Sequence, residues 1–64
     1  MNANQIKGEW KVVRGKVAEQ WGKLTDNDLE VIAGKRDQLV GLLQKRYGKA
    51  QEVIEREVKE FEAR

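Results

Sequence analysis

The sequence contains no histidine, no cysteine, no proline and no serine. The lack of cysteine, histidine and serine removes whole classes of function. Without cysteine there is no disulfide and no thiolate metal site, and a reducing compartment is allowed. Without histidine as well, no transition-metal site is credible. The loss of Ser, Cys and His together removes the usual nucleophiles and the one side chain that titrates near neutrality unperturbed, so serine or cysteine triads and imidazole acid–base catalysis are impossible. Long apolar runs are missing too. No segment approaches the roughly 20 apolar residues that span a bilayer, and MNANQIKGEW lacks the apolar stretch of a secretory leader. The expectation is a soluble chain, cytoplasmic by default, with no membrane insertion.

What is present is charge. Charged residues make up 38% of 64 residues and the mean hydropathy is −0.79, a composition that leans toward disorder. The net charge is only +2, however, and the hydrophobic 39% is well patterned. Residues 1–64 therefore read as one folded domain, near the lower size limit for folding without staples. Such a core supplies only about 3–5 kcal/mol.

The pattern is helical throughout. Ile6, Trp10, Val13, Val17 and Trp21 recur at steps of four and three, which places both tryptophans on one helix face. Asn2 or Asn4 can cap that first helix, and Gly22 suits a left-handed position at its end. Thr25 is a good N-cap for a short second helix, with Asp28 in a capping-box position and Leu29 and Ile32 inward. After Gly34, a third helix over 35–47 buries Leu39, Leu42 or Leu43, and Tyr47, and Gly48 closes it. A fourth helix from about Lys49 turns Ala50, Val53, Ile54, Val58 and Phe61 to one side. Nothing alternates as a strand would.

Gly8, Gly15 and Gly22 are seven apart, as are Gly34, Gly41 and Gly48, and Trp21-Gly22-Lys23 matches Tyr47-Gly48-Lys49 at a shift of 26 residues. Two similar helical hairpins follow, from internal duplication or from similar solutions to one packing problem. Helical glycine costs about 1 kcal/mol against alanine. Gly8, Gly15 and Gly41 lie on helix backs, opposite the apolar stripes. Either another backbone, from a neighbouring helix or a partner, comes close there, or these helices are weak; the heptad spacing favours close approach.

Little chemistry remains. Asp26 and Asp28 are the nearest candidates for paired carboxylates, but short helices offer no deep cleft to raise one pKa, and both suit a helix start. The run from Asp26 begins like a calcium loop, but Val31 stands where the loop needs glycine and Asp37 where it needs Glu. No catalytic residue, metal or cofactor is expected. A basic face is the stronger candidate. Residues 1–25 carry five Lys or Arg against Glu9 and Glu19, and residues 35–49 carry five against Asp37. Lys11, Arg14, Lys35, Arg36, Lys45 and Arg46 are the residues that would meet phosphates. Tyr47-Gly48-Lys49-Ala50 also weakly resembles a helix-hairpin-helix turn, with Ala50 in place of its second glycine. The opposing expectation is that these basic helices pair with the acidic fourth helix or stay solvated.

The run Trp10, Gly15-Lys16-Val17, Trp21-Gly22-Lys23-Leu24-Thr25 and Asp28, followed by Gly34-Lys35-Arg36-Asp37-Gln38-Leu39-Val40-Gly41 and Tyr47-Gly48, resembles the CsbD-like family of small bacterial proteins. The resemblance spans about Ile6 to Val58. It implies four helices in two roughly orthogonal hairpins and an association with the general stress response. It supplies no catalytic residue. The sequence therefore predicts an all-α four-helix bundle that is not an enzyme. Its core is Ile6, Trp10, Val13, Val17, Trp21, Leu29, Ile32, Leu39, Leu43, Tyr47, Ile54 and Val58. It would act as a soluble protectant or protein-interaction module, with nucleic acid as the alternative partner.

Overall fold

The structure is a computed structural model and describes residues 8–63. Ile6 and the caps at Asn2 or Asn4 lie outside the described residues. Among the described residues four helices follow in order: α1 (Trp10–Gln20), α2 (Asp26–Ile32), α3 (Arg36–Tyr47) and α4 (Gln51–Glu62). Among the described residues there is no strand. Helix α3 is central: the most extensive backbone packing between helices is of α3 with α2 and of α3 with α4.

Local chemistry sets the helix ends. At the start of α2, Thr25 Oγ1 accepts from the Asp28 N–H at 3.1 Å while Asp28 Oδ2 accepts from the Thr25 N–H at 3.0 Å. This reciprocal box satisfies two donors that a helix start otherwise leaves without partners. Helix α2 ends in two consecutive left-handed residues, Ala33 (φ 43°) and Gly34 (φ 88°), and α3 ends at Gly48 (φ 65°). Gly22 does not take the left-handed role expected of it. Trp21 leaves α1 at φ −126°, ψ 81°, and a tight turn from the Leu24 N–H to the Trp21 carbonyl (3.1 Å) buries both side chains. The chain turns inward there because the indole has a place in the core.

That core comprises Val13, Val17, Trp21, Leu24, Leu29, Ile32, Leu39, Val40, Leu43, Ile54, Val58 and Phe61. Trp10 and Tyr47 are half-buried and pack against it. Of the adjacent leucines, Leu43 is fully buried and Leu42 is half-buried. Trp21 and Phe61 meet with ring centroids 5.0 Å apart, joining α1's end to α4. Val53 departs from its expected inward position and is 37% exposed. At about 100° per residue it stands roughly a quarter-turn from Ile54 and still further from Val58. Ala50 is exposed as well, at the N-cap of α4.

The helix glycines face open space. A Cβ built on Gly8, Gly15 or Gly41 meets nothing within 4 Å. Among the described residues no neighbouring helix therefore uses their smoothness, which speaks against the intramolecular form of the close-approach expectation.

Candidate functional site

The six residues of the expected basic face come from two helices, Lys11 and Arg14 from α1 and the others from α3 and its N-cap residue, Lys35. Both arginines near the α2 start turn toward its acids. Arg46 makes a bidentate pair with Asp28, Nε to Oδ2 and a terminal nitrogen to Oδ1, each at 2.8 Å. Arg14 lies 3.9 Å from Asp26, whose side chain is almost wholly exposed. At the far end of α3, about 15 Å away at 1.5 Å per residue, Arg36 donates to Glu62 of α4 at 3.0 Å. Lys49, just before α4, donates to Glu57 at 3.1 Å. Arg36 and Arg46 are thus held by acids of the same chain at opposite ends of α3, whereas Arg14 has only a long pair with an exposed acid. Lys11, Lys35 and Lys45 are exposed, and among the described residues they enter no ion pair.

The electrostatics of Asp28 follow from this geometry. The guanidinium of Arg46, hydrogen-bonded to both its oxygens, and the Thr25 N–H hold its carboxyl well below the usual carboxylate range, against a smaller upward push from burial. Arg46 is raised in turn by the same pair. Asp28 is therefore a permanent anion at any physiological pH and cannot serve as a general acid. Glu62, also buried, is committed to Arg36. Among the described residues no cluster of three or more Asp or Glu is placed to hold a metal ion, and no helix is long and apolar enough to cross a membrane.

The turn after α1 is tied separately. Tyr47 Oη accepts from the Lys23 N–H at 3.2 Å, and Lys23 Nζ stands 5.0 Å above the Tyr47 ring. This cation–π arrangement locks the Gly22-Lys23 turn against the last residue of α3.

The sequence model of the CsbD-like family matches residues 4–56. The chain belongs to the CsbD-like family. It is similar to the UPF0337 protein ECA0631 of Pectobacterium atrosepticum, at 61% identity over 97% of this chain and 90% of the relative. It is also similar to the UPF0337 protein YjbJ of Escherichia coli, at 55% identity over the whole chain and 93% of the relative. A third relative, the UPF0337 protein pc0632 of Protochlamydia amoebophila, is 55% identical over 97% of this chain and 94% of its own length.

In this CsbD-like chain the motifs that carry the resemblance are largely hinge chemistry. Within Trp21-Gly22-Lys23-Leu24-Thr25, Trp21 and Leu24 are core, Lys23 binds Tyr47, and Thr25 caps α2. Within Gly34-Lys35-Arg36-Asp37-Gln38-Leu39-Val40, Gly34 takes a positive φ, Arg36 reaches Glu62, and Leu39 and Val40 are buried. The pairs Asp28–Arg46 and Arg36–Glu62 escape sequence reading because their partners are 18 and 26 residues apart, beyond any local periodicity.

Proposed function

We propose that this CsbD-like protein is a non-enzymatic, stress-associated protein of the cytoplasm that acts by contact, as a soluble protectant or protein-interaction module. The supporting observation is that its two buried acids, Asp28 and Glu62, are already engaged by arginines of the same chain. A general acid or base needs a pKa tuned toward neutrality in a sheltered cleft. Here the strongest perturbation runs the other way, and the body measures only 27 × 24 × 18 Å. The outer surface is densely charged and hydrated, which suits a protein that must stay dispersed at high abundance.

The test is drying of an aggregation-prone client enzyme with this protein or with an unrelated small helical bundle at equal mass ratio. The expected result is more recovered activity and less aggregate with this protein. Equal recovery with the control removes the proposal.

The alternative is association with nucleic acid, favoured by the exposure of Lys11, Lys35 and Lys45. On this reading Arg14, Arg36 and Arg46 would exchange their intramolecular acids for phosphates. Duplex affinity would then fall steeply with salt, as counterion release requires, and amide shifts would map to α1 and α3. Absence of binding at low salt, or binding insensitive to salt, eliminates it.

A further inference from the structure

We propose that a second copy of this chain is a partner of the first through exchange of lobes: the turn between α2 and α3 straightens, and α1 and α2 of each copy pack on α3 and α4 of the other. This exchange is independent of whether the bundle acts as a protectant.

Strain is concentrated in that turn. It consists of Ala33, Gly34 and Lys35, and the first two are left-handed. Ala33, at φ 43°, is the one residue other than glycine with a positive φ among the described residues, and Gly34 follows at φ 88°. A left-handed alanine is strained by its Cβ, and alanine is the best of the helix formers. Beyond the turn, α3 starts on Lys35, which makes no side-chain cap bond. A lysine offers no acceptor to the donors of a first helical turn. The Lys35 N–H closes the turn by donating to the Ile32 carbonyl at 2.7 Å.

The sequence on either side suits one continuous helix. A start signal stands at Thr25 with its reciprocal box, and a left-handed stop stands at Gly48. Between them Leu29, Ile32, Arg36, Leu39 and Leu43 alternate steps of three and four straight through the turn. A helix over 26–47 therefore keeps all five on one face. Straightening frees Ala33 from the left-handed region and gives the first donors of α3 the carbonyls at the end of α2. Its cost is Gly34 in a helix interior. Within one chain, α2 and α3 then no longer meet. Asp28 and Arg46 are 18 residues apart, about 27 Å along a straight helix. Only a second copy restores the contacts, with Asp28 of one copy gripping Arg46 of the other and Trp21 of one meeting Phe61 of the other. Every monomer contact between the lobes recurs in such a two-fold dimer. The balance is then set by the turn and by the freedom lost on association.

The test is to refold labelled and unlabelled chains together from urea at millimolar concentration and to read the dimer share by sedimentation equilibrium. Wild type is compared with two variants. Gly34→Ala penalises the left-handed turn and favours the straight helix, whereas Ala33→Gly relieves the turn and weakens the helix. With two hinges per dimer, the dimerisation constant should rise about a hundredfold for Gly34→Ala and fall by a similar factor for Ala33→Gly. In the separated dimer, isotope-filtered nuclear Overhauser spectra should connect Trp21 of a labelled chain to Phe61 of an unlabelled one. A dimer in which that contact stays within one chain is a face-to-face association and overturns the exchange. A dimer share that does not fall in Ala33→Gly overturns it too. So does the absence of dimer from both wild type and Gly34→Ala, including the case in which Gly34→Ala stays unfolded.

Discussion

At the scale of single residues, Trp21 is where sequence pattern and tertiary packing meet. It ends the apolar stripe of α1, yet it lies just past the helix, 3% exposed, with its ring against Phe61. Its Nε1 is buried without a hydrogen-bond partner. An unsatisfied buried donor costs about 1–3 kcal/mol, so the indole is retained there for its volume rather than its polarity. Truncation by Trp21→Ala should cost about 3–5 kcal/mol, comparable with the roughly 3–5 kcal/mol that a core this small supplies. Circular dichroism with urea should find most of the variant population unfolded without denaturant. A cooperative transition at the wild-type midpoint would mean that the indole is not a core element.

Among the elements, glycine shows how one residue type takes opposite roles. Gly48 closes α3 at φ 65°, in the left-handed region that side chains avoid, whereas Gly41 is an ordinary helical residue beside empty space. Gly48→Ala should therefore destabilise by about 1 kcal/mol, and Gly41→Ala should stabilise by up to about 1 kcal/mol. Thermal midpoints moving in the same direction for both variants would contradict this account of the helix ends. The pair Trp21-Gly22-Lys23 and Tyr47-Gly48-Lys49 extends the point. The two triplets look equivalent in sequence, yet Gly48 is left-handed and Gly22 is not. Tyr47 stays half-buried as the last residue of its helix, while Trp21 is drawn out of helical geometry by a partner 40 residues away, Phe61. What is local was legible in advance: the Thr25–Asp28 box, the Gly48 terminus and the apolar stripes that bury Val13, Val17, Leu39 and Leu43. What depends on distant partners was not. Val40 and Leu24 enter the core because α3 is covered on two sides and the turn after α1 folds inward. Arg36 and Arg46, visible only as positive charge, are bound to acids in other helices.

For the molecule as a whole, two of these pairings, Asp28–Arg46 and Arg36–Glu62, tie α3 to the helices on either side of it. The Asp28–Arg46 clasp gives the bundle a particular response to acid. A carboxyl whose folded pKa lies below its unfolded value of about 3.9 contributes stability that is complete above that value. The contribution is withdrawn as pH falls through the interval down to the folded value. Asp28 is held far below that range, and Arg46, raised from an already high value, stays charged throughout. Stability tied to Asp28 should thus be constant from neutral pH down to about pH 5 and decline progressively below about pH 4. Asp28→Asn keeps an oxygen able to accept from the Thr25 N–H in the capping box but removes the charge that Arg46 grips. The variant should be less stable than wild type at neutral pH, and the gap between their urea midpoints should narrow as pH falls toward 2. Because the pair is bidentate and its acid is buried, 1 M salt, which screens exposed charges beyond about 3 Å, should leave most of the neutral-pH gap in place. A gap that stays constant across the acid range, or one that salt abolishes at neutral pH, would show that Asp28 acts as a cap alone and that the helices are joined by their apolar faces without the clasp.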